Sequence, residues 1–256
     1  MLRAVIFDMD GLLIDSEPLA KSAWRDTARL HGGELSDALF DRMLGLRQVD
    51  CAAVVCDALQ LSIAPDAMCL ERNDLFMARL PGQVKAMPGA TELIRELETR
   101  GIPRALATSG ERRYVGAVLR ELNLDTAFAA RVVAEDVVRG KPHPDVYLLA
   151  AERLAVPPAE CLVLEDAPNG VAAAKAAGMS CVAVPNAYTR SLDTSAADAC
   201  LPSLVAVVAE LDALLAGRWM RRSGCPPPCP DGVCAECQAP RAGNSVGVRD
   251  DSNHRP

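Results

Sequence analysis

One pattern constrains this chain more than any other. Short apolar runs rich in branched residues recur, each followed by polar residues and then a stretch of helical periodicity. The runs fall at residues 2–7, 104–108, 161–164 and 181–184, with a further one at 131–134. Such alternation predicts a doubly wound α/β domain built on a parallel, Rossmann-like sheet. The helical stretches 90–100 and 171–177 stop before Gly101 and Gly178, residues suited to a left-handed helix end. Open parallel sheets bind ligands at the carboxyl ends of their strands. Asp8, Thr108 and the pair Glu165-Asp166 all fall at such ends, so residues distant in sequence are expected to share one crevice.

Residues 17–84 interrupt the pattern. They show helical periodicity over 18–30, 48–59 and 66–80 and no convincing strand, which predicts an inserted helical cap, with hinges near 15–16 and between 81 and 89. The α/β core is then expected over 1–16 and 85–217. After Gly217 the composition turns to Pro, Gly, Arg and Ser, and residues 218–256 are expected to be disordered. That tail holds Cys225, Cys229, Cys234 and Cys237, of which only the last two have the spacing of a zinc knuckle, so disorder is favoured over a zinc site.

Half of the 256 residues are hydrophobic, enough to bury a core and an insertion. The net charge of −7 supplies no basic field for nucleic acid or an anionic membrane. No stretch approaches the roughly 20 apolar residues of a membrane span, and the first residues run into a strand pattern rather than a leader, so a cytoplasmic protein is expected. Cys51, Cys56, Cys69, Cys161, Cys181 and Cys200 lie in apolar segments and read as reduced, structural residues.

Side chains two apart on a strand end point the same way, so Asp8 and Asp10 can both face the crevice while Met9 packs behind them. Two carboxylates in one site repel, and a divalent cation with a taste for hard oxygen ligands, Mg²⁺ above all, relieves that repulsion. Alone, Asp10-Gly11 reads equally well as a turn. Glu165-Asp166 supplies a second acidic strand end, and two such ends suggest a metal site. Thr108-Ser109-Gly110 offers a hydroxyl and backbone N–H groups that can cradle phosphate, although an ordinary helix N-cap is the plainer reading of Thr108 by itself. Lys141, set between Gly140 and Pro142, is a cation that a fixed loop can aim at a phosphoryl oxygen.

Taken in order, these elements resemble the motifs of the haloacid dehalogenase superfamily. The first is Asp8-Met9-Asp10-Gly11-Leu12-Leu13-Ile14-Asp15-Ser16-Glu17, and the second Thr108-Ser109. The third is Lys141-Pro142-His143-Pro144-Asp145, and the fourth Glu165-Asp166-Ala167-Pro168-Asn169-Gly170. The resemblance spans roughly residues 3–217. Within the superfamily the chain is similar to the β-phosphoglucomutase-like branch, and Leu44-Gly45-Leu46-Arg47 to hexitol and 2-deoxyglucose-6-phosphate phosphatases. The resemblance implies a Mg²⁺-dependent phosphatase of small phosphorylated metabolites, acting as a monomer or weak dimer. Asp8 is the implied nucleophile and Asp10 the acid and base. Asp8, the Asp10 carbonyl and Asp166, supported by Glu165, are the implied metal ligands, and Thr108, Ser109, Lys141 and Arg47 the implied substrate contacts.

Two alternatives differ in their expectations. A phosphomutase of the same branch carries a histidine shortly after the first motif, where this chain has Ala20, and Pro-His-Pro in the third motif is more phosphatase-like. A non-catalytic regulatory protein is disfavoured by the intact set Asp8, Asp10, Lys141 and Asp166. In the cap, Arg47 is read as facing substrate and Trp24 as core. No nucleophile and base set is built from the three histidines, and no dinucleotide fingerprint follows Phe7.

Overall fold

The computed structural model describes residues 1–44, 46 and 48–218; Arg47 and the four tail cysteines lie outside the described residues. Six strands form one parallel sheet: β1 (Ala4–Phe7), β2 (Arg104–Ala107), β3 (Ala130–Val132), β4 (Cys161–Glu165), β5 (Ser180–Ala183) and β6 (Ala199–Cys200). Their order is β3-β2-β1-β4-β5-β6. Phe7 lies opposite Leu106 on one side and Leu164 on the other. The order reverses around β1, which opens a crevice beyond the carboxyl ends of β1 and β4. The expected Rossmann-like α/β core with a helical cap is what the chain adopts. β6 was not anticipated, because a two-residue Ala-Cys edge strand carries no run of branched residues.

Both faces of the sheet are covered, and alternate side chains sort between them. Val5, Phe7, Leu106, Leu162, Leu164 and Val182 join one core with α5 (Ala90–Thr99), α6 (Arg112–Glu121), α9 (Leu204–Ala209) and α10 (Leu211–Leu215). Ala4, Ile6, Ala105, Ala107, Cys161, Val163, Cys181 and Ala183 meet α7 (Asp145–Leu154) and α8 (Pro168–Ala176) on the other. The second face carries the smaller residues, which lets α7 and α8 lie close against the strands. In α5 the buried positions Ala90, Leu93, Ile94 and Leu97 follow the helical i, i+3, i+4, i+7 rule.

The insertion forms α1 (Glu17–Leu30), α2 (Asp37–Asp41), α3 (Gln48–Ala58) and α4 (Pro65–Arg79). Pro18 and Pro65 open α1 and α4 in first-turn positions, where a missing N–H costs nothing. The short α2 escaped the sequence reading; it is held by the Ser36 hydroxyl, which accepts from the Leu39 N–H at 3.2 Å. Trp24, Ala28, Phe40, Val55 and Met68 make a separate cap core, so Trp24 is core as expected. The two crossings run side by side: the Asp15 N–H donates to Lys85 O and the Met87 N–H to Leu13 O, each at 2.9 Å.

Cys51, Cys56, Cys69, Cys161 and Cys181 are free thiols, and burial pushes Cys51 up to about 12. Cys200 departs from the expectation of a reduced thiol, being disulfide-bonded. It sits half-buried on the edge strand, whereas Cys161 and Cys181 are enclosed in strands with neighbours on both sides. Among the described residues no helix is long and apolar enough to cross a membrane.

Candidate active site

Asp8 follows β1 directly, with its N–H bonded to Leu164 O at 3.0 Å, and Asp10 lies two residues on in the loop that Gly11 turns. Gly11 adopts φ +79°, and a Cβ there would stand 2.4 Å from Asp166 Oδ2, so only glycine fits both the turn and the approach. From β4 come Glu165 and then Asp166, both buried. Asp8, Glu165 and Asp166 each offer an oxygen, and the three atoms lie within 4.8 Å of one another.

Lys141 reaches into this cluster from the loop before α7. Its ammonium donates to Asp8 Oδ1 at 2.5 Å and to Glu165 Oε1 at 2.7 Å, and it rests 4.9 Å from the centre of the Tyr147 ring. Glu165 is saturated. Oε1 also accepts from the Tyr147 hydroxyl at 2.9 Å, and Oε2 accepts from the Asp166 and Ala167 N–H groups at 2.8 and 3.0 Å. A Cβ on Gly170 would fall 1.5 Å from Glu165 Oε1, which explains the glycine two residues into α8. Asn186, beyond β5, donates to Asp166 Oδ2 and to Gly11 O, both at 2.9 Å, and so ties the fourth acidic residue to the first loop.

The electrostatics follow from one ammonium serving several buried carboxylates. Burial pushes Asp8 up to about 7; Lys141 offsets part of this, while Glu165 and Asp10 add to it. Burial, then Glu165 and Asp8, hold Asp166 well above the carboxylate range. Asp10 is raised chiefly by burial, against hydrogen bonds from Tyr114 and Ser16. Burial alone would lower Lys141, but Asp8 and Glu165 together hold it above its ordinary value. Such a cluster of hard, crowded oxygens fits a divalent cation, which would remove the repulsion that keeps these protons in place.

Thr108 follows β2 and is buried, with Ser109 exposed beside it. The Thr108 hydroxyl accepts from the Gly110 N–H at 3.0 Å, which leaves its own proton to donate. Neither of these residues caps a helix: α6 starts at Arg112, with Glu111 in the cap position. The N-cap reading of Thr108 is thus replaced by a tight turn that precedes α6.

Several residues at the site went unread in the sequence. Asn186 carried the same signal as the others, a polar residue just past a strand end. Tyr147 did not, since Val146-Tyr147-Leu148 reads as plain helix core. Nor did Arg72 on α4, which is 6 % exposed although charged. Its guanidinium lies 4.5 Å from the centre of the Phe76 ring and 5.5 Å from that of Trp24, and its Nε has no hydrogen-bond partner among the described residues. Its charge acts on Asp10, on Tyr114 and on Glu17, itself pushed up to about 7 by burial and then by Asp10.

The fold and this crevice define a capped enzyme with a Rossmann-like α/β core whose acidic strand ends converge on one lysine. The chain belongs to the haloacid dehalogenase-like hydrolases, whose family model matches residues 2–178. It is 35% identical over 178 residues to a phosphorylated carbohydrates phosphatase of Thermotoga maritima, covering 70% of this chain and 82% of that one. It is 33% identical over 180 residues to the fructose-1-phosphate phosphatase YqaB of Escherichia coli, covering 70% and 95%. Among solved structures it is similar to CbbY from Rhodobacter sphaeroides in complex with phosphate, with a TM-score of 0.72 and 29% identity over 83% of this chain and all of that one.

Proposed function

We propose that this protein is a Mg²⁺-dependent phosphatase of small phosphorylated metabolites, most of all sugar or sugar-alcohol phosphates, working through an aspartyl-phosphate. The observation that carries the reading is the Lys141 ammonium shared between Asp8 and Glu165 with Asp166 alongside. Phosphoryl transfer needs positioning and neutralised charge above all, and this cluster supplies both. The relatives' activities on phosphorylated carbohydrates and fructose 1-phosphate support the substrate class.

In this reading Asp8 attacks phosphorus in line. Asp10 gives its proton to the departing alkoxide, then takes one from the water that hydrolyses the aspartyl-phosphate. Lys141, the Thr108 hydroxyl and the Ser109 N–H hold the phosphoryl oxygens. Asp8, the Asp10 carbonyl and Asp166 would hold Mg²⁺ with Glu165 in support, and its bound charge would neutralise the crowded oxygens. The saturated lone pairs of Glu165 suit that supporting role. Arg72 and Glu17 face the part of the substrate away from phosphorus, and Arg47 is kept as a cap contact. The core then covers 1–16 and 85–217 and the cap 17–84. A mutase gains nothing from Ala20, which packs against the core and carries no proton to relay.

The test is release of inorganic phosphate from 4-nitrophenyl phosphate and a panel of sugar phosphates, with Mg²⁺ and with chelator. Release is expected only with the metal, and Asp8→Asn is expected to abolish it. Full activity in Asp8→Asn would overturn the mechanism.

A further inference from the structure

Cap and core meet at a point next to the proton-transfer residue. Tyr114, in the first turn of α6, donates its hydroxyl hydrogen bond to Asp10 Oδ1. The same ring packs edge-on against Phe76 of the cap helix α4, with centroids 5.2 Å apart at 74°. One turn from Phe76 on that helix, Asn73 Nδ2 donates to Glu111 Oε1 at 3.4 Å, a second link between α4 and the start of α6. Ser16, buried where the chain crosses into the cap, sits within hydrogen-bonding reach of both Asp10 and Tyr114. Gly110 leaves room for the ring, since a Cβ there would stand 2.9 Å from Tyr114 Cδ1. Arg72, on the same cap helix, lies on Phe76, so the line from Arg72 to Asp10 is continuous: guanidinium, Phe76 ring, Tyr114 ring, hydroxyl, carboxyl.

We propose that Tyr114 is a positioning residue that couples cap closure to the acid and base Asp10. A hydrogen bond donated to Oδ1 keeps that oxygen an acceptor, so the proton Asp10 transfers is carried on Oδ2. With the cap closed, Phe76 holds the Tyr114 ring and fixes the Asp10 rotamer. As the bond from phosphorus to the leaving oxygen breaks and the bond to Asp8 forms, the Oδ2 proton passes to that oxygen, leaving Asp10 a carboxylate still held through Oδ1. The same geometry aims Asp10 at the water of the second step. With the cap open, Tyr114 loses its wall and Asp10 its orientation, so proton transfer waits for a bound substrate. The coupling is built from the core side, where α6 meets α4.

This rests on the phosphatase reading above, and the experiment separates the two. Tyr114→Phe keeps the ring on Phe76 and removes only the hydroxyl. The quantity compared is kcat/KM, which ends at formation of the aspartyl-phosphate, for an alkyl phosphate such as glycerol 1-phosphate and for 4-nitrophenyl phosphate, whose leaving group departs without a proton. Tyr114→Phe is expected to lower the alkyl value about 10-fold or more, part of the roughly 10²–10⁴ that a general acid contributes, and to change the aryl value by less than about 2-fold. Phe76→Leu, which keeps the hydroxyl and loosens its wall, is expected to show the same selectivity at smaller size. An equal loss on both substrates, or no loss in either variant, overturns the role of Tyr114. A wild-type protein that releases phosphate from neither substrate overturns the phosphatase reading and this inference with it.

Discussion

The two walls of the crevice are built on opposite plans. On the core side Lys141, Glu165, Asp166, Tyr147 and Asn186 form a closed network in which the four lone-pair contacts of Glu165 are all used. On the cap side Arg72 is just as buried, yet its Nε has no hydrogen-bond partner among the described residues; its Nη1 donates to the neighbouring Asn73 Oδ1 at 3.2 Å, and aromatic faces flank it. A saturated network holds one geometry and suits chemistry that is the same for every substrate. A buried cation with a donor left over costs the free protein stability, and a bound ligand can take up that donor. Under the proposed function, phosphoryl transfer would belong to the core and choice of substrate to the cap.

The largest effect is expected from breaking the closed side. Gly170→Ala puts a methyl where Glu165 Oε1 now lies, so Glu165 must leave and Lys141 keeps Asp8 as its only hydrogen-bond acceptor among the described residues. Loss of a fixed charge contact of this kind costs on the order of 10²–10³ in kcat. The overpacking itself destabilises by about 1–3 kcal/mol. Steady-state kinetics and a thermal melt check both parts. Near-normal kcat in Gly170→Ala would mean that Glu165 does not set the position of Lys141.

The open side is expected to respond in the opposite sense. Arg72→Met replaces a poorly partnered guanidinium with an apolar chain of similar length between the same rings. Stability should hold or rise, as it does when buried ionic groups give way to well-packed apolar ones. Affinity should fall, since a hydrogen bond to a charged group contributes about 1.5–3 kcal/mol, or roughly 10- to 100-fold in KM. Lower stability with unchanged KM for every sugar phosphate tried would make Arg72 a structural residue and remove the contrast.

The same division explains what the sequence disclosed. Asp8, Thr108, Glu165 and Asp166 were legible because strand ends are marked locally, by an apolar run that stops on a polar residue. The parallel sheet was legible for the same reason, except at β6, whose two residues make no run. Arg72 and Tyr114 were not legible, because Glu71-Arg72-Asn73-Asp74 and Arg112-Arg113-Tyr114 read as ordinary solvated helix. Their surroundings come from the docking of α4 on the core, a contact between segments about 40 residues apart. Thr108 was placed correctly and its surroundings were not: the strand end is local, whereas the number of residues before α6 begins depends on the turn that Gly110 closes.

The smallest effect expected is thermodynamic, and it sharpens the account of the core side. Asp8 keeps its proton in the fold up to about pH 7, against an ordinary value of 3.8, and burial is the main cause. Between those two values the folded state binds more protons than the unfolded chain, so this group's contribution to stability is present at low pH and lost as pH rises through about 7. Asp166, raised by burial and by its acidic neighbours, acts in the same direction. A divalent cation bound among these oxygens opposes the loss, because it favours the ionised forms. Melts in chelator are therefore expected to fall from pH 5.5 to 8 relative to melts in Mg²⁺. The gap should widen by on the order of 2 kcal/mol, or roughly 4–8 °C for a chain of this size. A gap independent of pH would place the cation away from Asp8 and Asp166, and the closed network would then be neutralised by Lys141 alone.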